Sequence, residues 1–111
     1  IVFNPNATKP ALSNRLWEIE QPAAAAANGY FVAAPNRVGS EANEYGAEAV
    51  SFYGGSQFVD PRGNIIGEYG SSETEELLVR DLDLDLVRQV RNEWQFYRDR
   101  RPDSYTAITK P

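Results

Sequence analysis

The chain is 111 residues long, 41% hydrophobic and 12% aromatic, with a formal net charge of −5. That is enough apolar matter for one modest core, too much for a disordered chain, and the wrong charge for a general nucleic-acid or anionic-membrane binder. Cys, His and Met are all absent, which removes disulfides, a thiol nucleophile, the usual zinc, copper or haem ligands and any Ser-His-Asp triad within the chain. No run approaches the roughly 18 apolar residues of a membrane span. The expectation is a cytoplasmic protein with neither nucleic acid nor membrane as partner, and with no metal or cofactor.

Ile1-Val2-Phe3 reads as a short, fully buried strand, because every position is apolar. A chain without Met that opens in such a strand is a processed protein, a designed one or a piece of a longer chain, and the strand favours the last. Asn4-Pro5 ends it, since the residue before proline avoids the helical region and proline cannot donate to a ladder. Asn4–Pro10 is then a loop at the carboxyl end of a strand, where α/β sheets tend to bind ligands.

A helix is expected from about Ser13 to Asn28, capped by Ser13 or Asn14 and ended by Gly29. Leu16, Ile19, Ala23 and Ala27 lie near helical spacing, with Trp17 and Ala24 beside them. Pro22 should kink or split this helix. The alanines after it form a smooth face that another element can approach closely. Tyr30–Ala34 reads as a second buried strand ended by Pro35-Asn36. Arg37–Ser51, polar and Glu-rich, reads as an exposed loop. Phe52–Val59 reads as a strand interrupted at Gly54-Gly55. Asp60-Pro61-Arg62-Gly63 is a turn, and Asn64–Tyr69 the returning strand of a hairpin. After a loop at Gly70–Glu75, another strand is expected at Glu76–Leu82 and a short helix at Asp85–Trp94, with Leu86, Val90 and Trp94 on one face. Residues 95–111 form a tail with little periodicity. The order predicts an α/β fold with a mixed sheet and a right-handed first crossover. One face of that sheet would lack covering helices.

Few motifs carry chemistry. Asp81, Asp83 and Asp85 alternate like the opening of a calcium loop, but Leu86 and Asn92 stand where that loop needs Gly and Glu. They read as a solvated face and a helix cap. Asn6-Ala7-Thr8 fits a glycosylation pattern by coincidence, since nothing else suggests secretion. Arg98, Arg100 and Arg101, with Tyr97 and Tyr105, read as an interface or salt-bridge patch in an acidic chain. Gly54-Gly55 lacks the Lys-Ser/Thr ending of a phosphate loop. The loop Asn4–Pro10 is the best site candidate, through Asn6 and Thr8. Against it stands the possibility that these side chains only tie down their own backbone.

The ordered series NPNAT, LWEIEQPAAAAANGYFVAAPNRVG, FYGGSQFVDPRGNIIGE and LLVRDLDLDLVRQVRNEWQFYRDRRPDSY resembles the C-terminal half of the nitrilase superfamily of carbon–nitrogen hydrolases. It is most similar to the branch holding β-ureidopropionase and N-carbamoylputrescine amidase. The resemblance implies the C-terminal half of a four-layer α-β-β-α sandwich. Residues 1–94 would supply sheet and helices of a single domain, and residues 95–111 an interface tail. It implies a Cys-Glu-Lys mechanism whose residues all precede Ile1, with Asn6, Ala7 and Thr8 as the wall of the substrate pocket. It also implies a homodimer or higher homo-oligomer through the Leu12–Asn28 helix and the C-terminal tail. The other reading is a non-catalytic assembly module of the same fold.

Overall fold

The computed structural model describes residues 1–43 and 48–109. Its spine is a β-α-β unit. Strand β1 (Val2–Phe3) leads through the loop into helix α1 (Leu12–Asn28), which returns the chain to β2 (Val32–Ala34), parallel to β1. Two further strands, β3 (Val38–Glu41) and β4 (Val50–Tyr53), form a separate antiparallel hairpin. Strand β5 (Gln57–Val59) then pairs antiparallel with β2, giving a mixed three-stranded sheet in the order β1-β2-β5. Helix α2 (Asp85–Glu93), a 3-10 turn at Pro102–Ser104 and the short α3 (Thr106–Thr109) complete the chain. Of the segment Arg37–Ser51, expected as loop, Val38–Glu41 is β3 and Val50–Ser51 opens β4, because the register Val38↔Tyr53 to Glu41↔Val50 gives both backbones a partner; its residues 44–47 lie outside the described residues.

Helix α1 packs on one face of the sheet. Trp17 and Ala25 meet Val32, Ala34 and Val59 in the core. The Trp17 indole donates to Gly55 O at 2.8 Å, and Gln57 Nε2 donates to Trp17 O at 3.0 Å. The buried stripe is therefore Trp17, Gln21 and Ala25, whereas Leu16, Ile19, Ala23 and Ala27 face outward. Pro22 neither splits nor ends the helix. The carbonyl it deprives of a donor is that of Glu18, on an exposed turn that water can reach. No side chain caps the start. Ala11 takes the cap position, and the Ser13 hydroxyl donates to Lys9 O instead.

The end of α1 is better provided. Gly29 adopts the left-handed conformation (φ 57°, ψ 49°) that stops a helix with little steric cost. Arg91 of α2 donates Nε to Gly29 O at 3.1 Å and Nη2 to Asn28 O at 3.4 Å. Its guanidinium lies 5.4 Å from the Tyr97 ring centre, and Tyr97 Oη donates to Asn28 Oδ1. The end of one helix thus organises the second helix and the start of the tail. Within α2, Val90 is buried, but Trp94 is 43% exposed.

Three other expectations are corrected. The strand at Ile1–Phe3 is exposed, with Phe3 at 72%, because β1 is an edge strand and α1 covers only the other face. The returning strand at Asn64–Tyr69 reduces to a single bridge, Val59↔Ile65, after a turn closed by Gly63 N to Asp60 O at 3.0 Å. The segment Glu76–Leu82 is extended but has no strand partner. Arg80 holds it through Ile66 O and Glu68 O, and Leu77 is 87% exposed. The chain is flat, 53 × 42 × 18 Å, with a radius of gyration of 17.6 Å, against about 13 Å for a compact chain of this length. Among the described residues no helix is long and apolar enough to cross a membrane.

The switch between sheets occurs at Gly54-Gly55, both with positive φ. A Cβ at Gly54 would lie 2.2 Å from Ser71 O. Gly54→Ala should therefore destabilise the protein by about 2 kcal/mol or more, seen in denaturant unfolding; a loss below a few tenths would refute the close approach. A second expectation concerns Arg62 and Glu93, 2.7 Å apart and exposed. The hydrogen bond from Arg62 holds the Glu93 carboxyl below its usual range against desolvation, with the Arg62 charge adding to it. A depressed carboxyl contributes stability above its unfolded value and loses it as pH falls through the folded one. Glu93→Gln should lower the melting temperature slightly at neutral pH, and the difference should vanish as pH falls through the depressed folded value of Glu93.

Candidate functional site

The parallel pairing of β1 and β2 continues beyond both strands. Val2 stands opposite Val32, Phe3 opposite Ala33 and Asn6 opposite Asn36, a constant offset of thirty residues. The same dipeptide, Pro-Asn, therefore ends both strands side by side, at 5–6 and 35–36. Asn6 N donates to Pro35 O at 2.9 Å, and Arg37 N donates to Asn6 O at 3.1 Å. Main-chain bonds thus bring the loop Asn4–Pro10 to the carboxyl end of β2.

Of the three residues expected at the site, Asn6 and Ala7 are exposed and Thr8 is half-buried. Asn6 Oδ1 accepts from Ala7 N at 2.9 Å, so that side chain steadies its own loop. Thr8 turns inward. Its N–H donates to Asn36 Oδ1 at 3.0 Å, and its hydroxyl accepts from Asn36 Nδ2 at 2.6 Å. Asn36 Nδ2 also donates to Gly54 O at 2.6 Å, and Asn36 N donates to Ser56 Oγ at 2.9 Å. At the other end of the loop, Asn4 Nδ2 donates to Gln21 Oε1 of α1.

Asn36 and Ser56 escape a reading of the sequence, where Pro35-Asn36 serves only as a strand terminator. The available signal is the repeated Pro-Asn pair, thirty residues apart, on two strands predicted to bracket one helix. Beside this node opens a cleft of about 570 Å³, lined by Asn36, Arg37, Ser56, Ser71, Glu73 and Glu76 among others. Asn6, Ala7 and Thr8 do not line it; Asn36 and Arg37 connect it to the loop through their hydrogen bonds. The Arg37 guanidinium sits 4.4 Å from the Phe52 ring centre and pairs with Glu41 at 2.8 Å. A smaller, apolar cavity of about 190 Å³ lies between Phe3, Ala33, Phe58 and Leu77.

Among the other sequence candidates, Asp83, Arg98 and Arg101 have local partners. Asp83 Oδ1 accepts from Asp85 N at the entry to α2, and no acidic cluster among the described residues could hold a metal ion. Arg98 pairs with Asp99 and Arg101 with Asp103, all exposed. The Trp94 and Phe96 rings lie 6.1 Å apart, tilted by 35°.

The carbon–nitrogen hydrolase family model matches residues 1–92. A β-ureidopropionase of Arabidopsis thaliana is 38% identical over 97% of the chain and 29% of its own length. An N-carbamoylputrescine amidase of the same plant is 36% identical over 83% of the chain and 31% of its own length. The crystal structure of a carbon–nitrogen hydrolase from Helicobacter pylori G27 superposes with a TM-score of 0.80 at 33% identity, covering 94% of this chain and 37% of that one. The chain spans about a third of the length of the curated relatives it matches.

Proposed function

The chain belongs to the carbon–nitrogen hydrolase family, and from that we propose that it forms the C-terminal part of an amidohydrolase acting on N-carbamoyl amides. The observation that carries this reading is the likeness to relatives named β-ureidopropionase and N-carbamoylputrescine amidase over 97% and 83% of the chain. In this reading the nucleophilic Cys, the Glu base and the Lys stand outside these 111 residues, which contain no Cys. The thiolate attacks the carbamoyl carbon, and the Lys stabilises the oxyanion. The Glu passes the thiol proton to the departing amine. Water then cleaves the thiocarbamoyl group to carbamate, which falls to carbon dioxide and ammonia and frees the thiol. No cofactor is needed.

The loop at Asn6, Ala7 and Thr8 is the share of the site we assign to this chain, as a binding wall. Its place at the carboxyl ends of two parallel strands supports that role. The exposed sheet face at Phe3 and Leu77 would be covered by the remainder of the four-layer sandwich. The outward stripe of α1, with Leu16 at 37% and Ile19 at 47% exposure, would meet a second copy, with small alanines permitting close approach. The tail aromatics Trp94 and Phe96 would add to that contact. The same exposed surfaces also suit a non-catalytic assembly module, and turnover separates the two.

The full-length protein should release ammonia from N-carbamoyl-β-alanine or N-carbamoylputrescine, and inactivity on both favours the assembly reading. Asn6→Ala or Thr8→Ala should raise KM or lower turnover by about tenfold; unchanged kinetics removes the loop from the site. Ala23→Arg, placed on the outward stripe, should shift the protein toward monomer in sedimentation velocity. An unaltered distribution would move the interface elsewhere.

A further inference from the structure

The side chain of Asn36 does more than a strand end requires. The main-chain bonds of Asn6 and Arg37 already join the two strand ends. The carboxamide reaches two residues further along the loop and bonds Thr8 twice, through N–H and hydroxyl. Its remaining donor goes to Gly54 O and its remaining acceptor site to Arg37 N at 3.0 Å. The residue is 9% exposed. Its orientation follows from these partners, because exchanging O and N would set an NH2 against two N–H donors. Two donors and two acceptors on one rigid plane are what a carboxamide offers and a carboxylate or alkyl group does not. Behind it, the Ser56 hydroxyl accepts from Asn36 N and donates to Asn36 O.

We propose that Asn36 is a positioning residue of the hydrolase site, holding the Asn6–Thr8 wall in the geometry that receives substrate without touching substrate itself. This rests on the reading that the loop lines the site. A wall fixed before binding has less freedom to lose when substrate arrives, so the effect falls on KM more than on kcat.

The test is steady-state kinetics of the full-length protein on N-carbamoyl-β-alanine, with hydrogen exchange at the Thr8 amide as a readout that needs no substrate. Asn36→Asp and Asn36→Ala should raise KM about tenfold with kcat within about threefold. Thr8 exchange should quicken about tenfold. Asn36→Ala and Thr8→Val together should raise KM by less than the product of their separate effects, since they share the contact between Asn36 Nδ2 and the Thr8 hydroxyl, and Thr8→Ser, which keeps that hydroxyl, should keep wild-type KM. If Asn36→Ala does not fold, Ser56→Ala should raise KM about threefold in the same direction. KM within about twofold of wild type in the Asn36 variants, or effects that multiply with Thr8→Val, would overturn the proposal. Unchanged KM in Thr8→Val and Asn6→Ala sinks the reading of the loop as a site wall. Raised KM in those two alone sinks only the role of Asn36.

Discussion

A single buried carboxamide has four hydrogen-bond positions, and in Asn36 all four are filled: two by Thr8, one by Gly54 and one by the adjacent Arg37. Thr8 belongs to the loop after β1, Gly54 to the crossing between two sheets, and Arg37 to the approach to β3. Remove the amide and three polar groups at the centre of the fold lose their partner together, at about 1–3 kcal/mol for each one left buried. This interaction makes the loop, the hairpin and the mixed sheet one body. The loop is anchored on both sides of the exposed Asn6 and Ala7. Its ends are held by Asn4 to Gln21 and by Thr8 to Asn36.

Helix α1 supplies the second constraint, and it shows why an apolar stripe is an ambiguous signal. Two faces of this helix are apolar enough to bury. The one that wins contains Trp17, whose indole and carbonyl both meet the 55–57 region. It also contains Gln21, which bonds Asn4. The losing face carries Leu16 and Ile19 but offers the sheet no polar complement. Periodicity weighs only hydrophobicity, so it chose the stripe with more aliphatic carbon. Directional bonds decided otherwise, since a carbonyl drawn partly out of water, such as that of Gly55, needs a donor.

The same distinction governs what was legible in the sequence. Local signals with a steric cause came through: the stop at Asn4-Pro5, the bend at Gly54-Gly55, the Asp60–Gly63 turn and the end of α1 at Gly29. The order of the β-α-β unit came through as well, because two apolar runs around one helix leave few arrangements. The cap of α1 failed locally, since the Ser13 hydroxyl donates to Lys9 O instead, but the strand and site failures are long-range. Whether Val38–Glu41 is strand or loop depends on a partner nine to fifteen residues away in the register Glu41↔Val50 to Val38↔Tyr53. Whether Glu76–Leu82 is strand depends on a free sheet edge, and the β5 edge is already bridged by Ile65. Asn36 was invisible for the same reason: its partners are twenty-eight and eighteen residues away.

The exposed surfaces follow a common logic. Phe3, Leu77 and Val79 are strongly exposed, and Phe3 and Leu77 line one apolar cavity with Phe58. An extended segment held by Arg80 rather than by a ladder presents its alternate side chains to whatever lies beyond. A sheet with one covered face and one bare one is half of a layered architecture, and the flatness of the chain is the same fact in dimensions. The loop lies where these arguments meet. It leaves the bare-faced edge strand, crosses to the carboxyl end of β2 and is fixed there by Asn36.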